Sequence, residues 1–244
     1  MLNAFLNIFR IPDLRNKVLF TLGMLVIYRI GFWVPLIGVD QTQLAESAAK
    51  ATQDSSGFGR IAQFASIFSG GSLSQSTIFG LGIMPYITAS IIFQLLNSAV
   101  PALQELKKEG ASGQQKISEW TRYATVGLCI VQAIMWLSYL RTNNLVQPQF
   151  VTGGASMIFF ASGIVGLTAG SVFLMWLGEQ IDKYGIGNGV SVILTAGILA
   201  RLPEAIQWII SEFNPSQQGD GGGIGLLEVV FLASSFVLVT AGAI

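Results

Sequence analysis

The feature that most restricts this chain is a series of apolar stretches long enough to cross a lipid bilayer. A hydrocarbon core about 30 Å thick takes roughly 20 residues of helix, and runs that meet or approach that length extend from Val18 to Ile37, Ile78 to Leu96, Tyr123 to Leu140, Ser156 to Leu177 and Ile224 to Ile244. A weaker run, Val190 to Ala200, continues through Arg201, Leu202, Pro203 and Glu204 into Ala205 to Ile210, so its outer part is expected to kink or to leave the bilayer. The expectation is an all-α, polytopic membrane protein of about six transmembrane helices. Composition agrees, because only 11% of residues are charged against roughly 25% in a soluble domain. Arg10, Arg15 and Lys17 precede the first run in the manner of a signal peptide, but the run is long for such a segment and no small-residue cleavage site follows, so it reads as a retained helix.

Charge enters through its distribution. Thirteen basic and thirteen acidic residues cancel, leaving no global field to recruit nucleic acid. With the N-terminus cytoplasmic, Arg10, Arg15, Lys17, Lys107, Lys108, Lys116, Arg122 and Lys183 fall inside, while Lys50, Arg60, Arg141 and Arg201 fall at or beyond the outer face; the excess of inside cations favours that orientation. Arg29 sits in the first run, where an ion pair is its expected role. The absence of histidine removes the usual zinc sites and the Ser-His and Cys-His nucleophiles, and the single cysteine, Cys129, permits no intrachain disulfide. The chain reads as a non-enzyme without cofactor or metal.

Five local patterns stand out. In the roughly 40-residue connection after the first run, the segment Phe58 to Gly71 (FGRIAQFASIFSGG) places Ile61, Phe64, Ile67 and Phe68 at helical spacing before a Gly70-Gly71 stop. About three turns cannot span a bilayer, so this helix lies at the interface or re-enters the protein. The second run, with Gly80, Gly82 and Pro85 in its outer third, is expected to kink at the proline, and broken helices often line transport paths. Ile83 with Ile87, and Leu194 with Ile198, are four apart and share helix faces. The loop PALQELKKEGASGQQKISEWTRY reads as a solvated hairpin around flexible Gly110 and Gly113. The stretch LGEQIDKYGIGNGVS lacks the ending of a phosphate-binding loop and reads as a tight turn, with Asn188 near the next helix start.

The runs FSGGSLSQSTIFGLGIMPYITASIIFQLL, ELKKEGASGQQKISEWTRY and MWLGEQIDKYGIGNGVSVIL closely resemble the bacterial members of the SecY/Sec61-alpha family of protein-conducting channels. The resemblance extends more weakly to IPDLRNKVLFTL and YRIGFWVPLIGVD. It implies helices 1 to 6 of a ten-helix, pseudo-symmetric channel: residues 1–210 would be the N-terminal half with helices 1 to 5 and a plug at about 58–71, and residues 211–244 an external loop and helix 6, the start of the C-terminal half. The chain ends before the basic segment the family places after helix 6, so helices 7 to 10 would come from elsewhere.

The resemblance further implies a passive channel subunit in the bacterial cytoplasmic membrane, multi-pass, which passes secretory polypeptides across the bilayer and releases membrane proteins sideways into it. By the family's pattern, Ile61, Phe64, Ile67, Phe68, Ser69, Gly70 and Gly71 belong to the plug. Ile83, Ile87, Leu194 and Ile198 match this half's share of the hydrophobic pore ring, with isoleucine more usual at the position of Leu194. Thr88, Ile91, Gln94 and Gln132 are candidates for the lateral gate between the second and third spans, where the glutamines would bond across the closed gate or tie the two helices together. Implied partners are SecE, SecG, the SecA motor ATPase, the ribosome, signal sequences, nascent polypeptides and the lipid bilayer, with no direct nucleic-acid binding by this half. Two rivals remain: from composition alone, half of an inverted-repeat solute transporter, disfavoured by the scarcity of intramembrane charge, and, given the missing helices, a structural membrane subunit or a non-functional half.

Overall fold

The computed structural model describes residues 11–44, 76–151, 153–200, 202–212 and 226–243. Over these the chain forms eight α-helices: α1 (Pro12–Gly31), α2 (Met84–Ala99), α3 (Pro101–Lys108), α4 (Ala111–Thr142), α5 (Gly154–Tyr184), α6 (Gly189–Leu199), α7 (Leu202–Glu212) and α8 (Leu226–Ala243), with a 3-10 turn at Pro148–Phe150. Among the described residues extended pairing is confined to two isolated bridges, Pro35 with Thr77 and Val39 with Val146. Proline opens α1, α2 and α3, where its missing N–H would have been unsatisfied in any case. The chain divides into two units, Met1–Ile198 and Leu199–Ile244.

The first unit is organised on α4 and α5, which pack along each other, with α2 against α4 and α1 against α5. Thr121, Thr125, Cys129, Ala133 and Leu137 are the buried residues of α4 over this stretch; their four-residue spacing puts them in one stripe. Leu137 meets Gly163 towards one end and Arg122 meets Glu179 towards the other, so the two helices are antiparallel. Their outward sides stay apolar: Met135 on α4 and Met157 and Val165 on α5 are at least two-thirds exposed. Both helices are long and apolar enough to cross a membrane, and at 1.5 Å per residue the 32 residues of α4 extend about 48 Å, well beyond a hydrocarbon core.

Several expected boundaries move. The first run ends as a helix at Gly31, and residues 32–40 instead make backbone pairs: Leu36 N–H to Ser76 C=O (2.9 Å), Ile78 N–H to Val34 C=O (3.1 Å), Asp40 N–H to Leu145 C=O (3.0 Å) and Gln147 N–H to Gly38 C=O (2.9 Å). Trp136 Nε1 adds a hydrogen bond to Ser76 Oγ at 3.2 Å. The second run becomes helical only at Met84, so Pro85 opens a helix rather than kinking one. The hairpin is ordered too: Gly113 lies inside α4, and a Cβ there would meet the Leu106 carbonyl. Arg29 makes no ion pair among the described residues; its guanidinium lies over the Phe32 ring, 5.8 Å from the centroid. The weak fifth run breaks between Leu199 and Leu202 into α6 and α7. Residues Ile61, Phe64, Ile67, Phe68, Ser69, Gly70 and Gly71 lie outside the described residues.

Asp40 starts the helical residues 41–44. Its Oδ1 accepts from the Thr42 hydroxyl (2.6 Å) and from the backbone N–H groups of Thr42 (3.1 Å) and Gln43 (3.3 Å), the arrangement of an N-cap. The Thr42 hydroxyl first, then the Gln43 amide, hold the carboxyl below its ordinary pKa. A depressed carboxylate contributes stability that is fully present above the unfolded pKa and lost as pH falls through the folded one. In an NMR titration the Thr42 and Gln43 amide shifts should therefore move with a midpoint below the ordinary aspartate value. A midpoint at or above it would show that the cap is absent.

Candidate functional site

The entry into α2 is built by glycine and by tight turns. Gly80 N–H donates to Thr77 C=O and Gly82 N–H to Phe79 C=O, both at 2.8 Å, and Gly82 takes φ +60°, a conformation a Cβ disfavours. The chain is thereby delivered to Ile83, whose carbonyl accepts from Tyr86 N–H (3.1 Å) and Ile87 N–H (3.2 Å). Ile83 is buried in one apolar cluster with Tyr28 of α1, Phe32 just after it, Phe79 of the turn before α2, Leu174, Leu177 and Ile181 of α5, and Ile193 of α6; Ile87 and Leu194 pack against that cluster, half-buried. Ile198, the fourth residue of the expected ring, is 46% exposed and stands outside the cluster. Three of the four are thus brought together, by contacts between elements a hundred residues apart in sequence.

The expected gate residues lie on two helices that do pack on each other, α2 and α4. Thr88 Oγ1 donates to Met84 C=O at 3.0 Å within its own helix. Ile91 and Gln94 are exposed and Gln132 is half-buried. Among the described residues no hydrogen bond joins Gln94 to Gln132.

Next to cluster residues Leu177 and Ile181 on α5 lie polar contacts that the sequence showed only as separate parts. Arg122 Nε and Nη2 donate to Glu179 Oε1 (2.7 Å) and Oε2 (3.0 Å), a two-pronged bond tying α4 to α5, and Tyr86 lies within reach of the charges on Arg122, Glu179 and Asp182. Asp182 Oδ1 accepts from Gly189 N–H (2.7 Å), Asn188 Oδ1 from Ser191 N–H (3.0 Å), and Thr21 Oγ1 from Ile186 N–H (3.1 Å). The 185–188 turn is therefore stitched at both ends and to α1. Asn188 was visible as a helix start in the sequence; the 57-residue separation of Arg122 and Glu179 gave no local signal. Among the described residues no group of three His, Cys, Asp or Glu side chains converges as a metal would need.

Arg122 is 44% exposed, so solvent screens the pair and its worth should stay near that of surface pairs despite good geometry. A double-mutant cycle on Arg122→Gln and Glu179→Gln in detergent-solubilised protein should give a coupling of about 1 kcal/mol that declines with salt. Additive effects of the two substitutions would mean that the pair does not hold α4 to α5.

Apolar outward faces and two helices long and apolar enough to cross a bilayer fit the class of multi-helix membrane proteins. The chain belongs to the SecY family, whose family model matches residues 77–244. Protein translocase subunit SecY of Streptomyces scabiei is 43% identical over 243 residues, covering 98% of this chain and 53% of that protein. The subunit of the same name from Escherichia coli K12 is 43% identical over 229 residues, covering 93% and 49%. This chain spans about half the length of the curated relatives it matches. Among solved structures, Sec61 in the canine ribosome-channel complex from the endoplasmic reticulum aligns with a TM-score of 0.51 at 18% identity, over 81% of this chain and 42% of that one, a likeness of fold.

Proposed function

We propose that this chain forms one wall of a protein-conducting channel, passing secretory polypeptides across the bacterial cytoplasmic membrane and releasing hydrophobic segments sideways into lipid. The observation that carries this reading is the convergence of Ile83, Ile87 and Leu194 on one apolar cluster in a member of the SecY family. A girdle of aliphatic side chains excludes ions by dewetting while offering a passing polypeptide no polar group to hold it. Ile198 would complete this half's share of the ring. α1, α2, α4, α5, the fifth run of residues 190–210 that contains α6 and α7 and whose outer part kinks or leaves the bilayer, and α8 would be the six spans, oriented with the N-terminus in the cytoplasm by the distribution of lysine and arginine. Ile61 to Gly71 would plug the outer side, and Thr88, Ile91, Gln94 and Gln132 would line a lateral gate. The driving force would come from the SecA motor ATPase or a ribosome, with SecE and SecG as membrane partners and the remaining helices supplied by the other half of the channel.

The test is disulfide trapping. With Cys129 replaced by alanine and the channel completed by its other half, a secretory chain arrested in transit and carrying a cysteine should cross-link to Ile87→Cys and Leu194→Cys, and not to Met157→Cys on the lipid-facing side of α5. No adduct at either ring position would end the pore assignment.

A further inference from the structure

Helices α4 and α5 meet at two levels that carry charge. At one, Arg122 bonds to Glu179; at the other, the Arg141 guanidinium lies over the Phe160 ring, 5.9 Å from its centroid. Arg141 follows Arg122 by 19 residues, and Phe160 precedes Glu179 by the same 19. The contact of Leu137 with Gly163 between them keeps that register, so the two contacts are rungs of one antiparallel ladder. A separation of 19 residues at 1.5 Å each is about 29 Å, and a hydrocarbon core is about 30 Å thick. Neither helix carries a charged residue between the rungs, over 123–140 in α4 and 161–178 in α5.

The outward face of α4 indicates what fills the space between the two levels. Tyr123, Gly127, Val131, Met135 and Tyr139 are exposed and recur every fourth residue. They run two positions out of step with the buried stripe that begins at Thr121, which at about 100° per residue puts them on the opposite side of the helix. The stripe is apolar in its middle and ends in a tyrosine just inside each arginine. Tyrosine collects at headgroup level, where its ring meets the apolar layer and its hydroxyl the wet one. A protein partner imposes neither that length nor that pairing of ends; a bilayer imposes both. The charges agree, because an arginine is costly in hydrocarbon while its guanidinium pairs well with phosphate. Arg122 is already paired with Glu179, whereas Arg141 is exposed and has no ion pair among the described residues.

We infer that the bilayer sits on α4 and α5 between these two levels, with its midplane at Val131, Tyr123 and Tyr139 at the two headgroup boundaries, and Arg141 paired to lipid phosphate. Residues 111–121 of α4, with α3 before them, then stand outside the hydrocarbon at the Arg122 end. The inference rests on the membrane residence within the proposed function and not on the pore assignment, and its readout is depth, not transport. Single cysteines at Glu119, Tyr123, Val131 and Tyr139, in a Cys129→Ala background, are labelled with a nitroxide in the full chain reconstituted into phosphatidylcholine vesicles in phosphate-free buffer. Collisions with oxygen, which concentrates in lipid, are compared with collisions with a water-soluble nickel chelate. The oxygen-to-nickel ratio should peak at Val131, be several-fold lower and similar at Tyr123 and Tyr139, and be lowest at Glu119. A peak at Tyr123 or Tyr139 would overturn the placement, as would low access of both reagents to Val131, which would mean that protein covers the face. High nickel access at all four positions would overturn membrane residence itself. Arg141→Leu should raise the ratio at Tyr139 towards that at Val131, and Arg141→Lys should not; a ratio unchanged by Arg141→Leu would mean that no lipid phosphate is held there.

Discussion

Gly170→Val is expected to destabilise the first unit by about 3 kcal/mol, at the upper end of what over-packing costs, and to lower its unfolding midpoint in detergent accordingly. Gly170 lies in the buried seam of α5, and a Cβ at that position would overlap the carbonyl of Ile78 and crowd the Phe79 ring. A carbonyl in a turn cannot rotate away as a side chain can, so residues 76–83 would have to move as a body. They are held in place by the Leu36 to Ser76 and Ile78 to Val34 backbone bonds and by Trp136, and that resistance is what makes the substitution costly. Gly163 is the softer case, because the atoms nearest to its added Cβ all belong to the Leu137 side chain. Gly127 is the control: nothing lies within 4 Å of a Cβ there, and Gly127→Ala should be neutral or gain up to about 1 kcal/mol from helix propensity. Equal midpoints for Gly170→Val and Gly127→Ala would show that α5 does not rest on the 76–83 turns.

Those two glycines also mark where the sequence stops being informative. Apolar run length identified α4 and α5, because a bilayer imposes a length and a helix a periodicity that need no partner to be recognised. The start of α2 was not legible in the same way. Residues 78–83 are as apolar as those that follow, and only the pairing of Val34 and Leu36 with Ile78 and Ser76, some forty residues distant, makes turns of them instead of helix. Arg29 shows the same limit at one side chain: hydropathy marks it as needing a partner, yet among the described residues what it meets is the face of Phe32 and not a carboxylate. The Arg122 to Glu179 bond joins residues that looked like ordinary charges flanking two separate spans. Family resemblance supplied roles for Ile83, Ile87, Leu194 and Ile198 but not their unequal burial, which depends on where α2 begins.

That inequality yields the second large effect. Ile83 is 3% exposed and Ile198 46%, so residues of one type given one role should differ in what they do for folding. Ile83→Ala removes three carbons from a site closed by Phe79, Leu174, Ile181 and Ile193, and both the lost transfer energy and the cavity left behind oppose it, for a cost of about 2–4 kcal/mol. Ile198→Ala deletes atoms already in contact with the surroundings of the protein and should cost no more than about 0.5 kcal/mol. Denaturation midpoints of the two variants in the same micelle decide the matter; an Ile198 variant as damaged as the Ile83 variant would mean that the end of α6 is packed against something the cluster does not include. The difference also determines how a pore should be probed. A polar residue at Ile83 would damage the anchorage of α2 and raise leakage through misfolding whether or not the residue faces a polypeptide, whereas Ile87 and Leu194, half-buried on the margin of the same cluster, can be changed with the anchor intact. Increased ion conductance on Ile87→Asn, with a midpoint close to that of the unaltered protein, would therefore report on the seal itself.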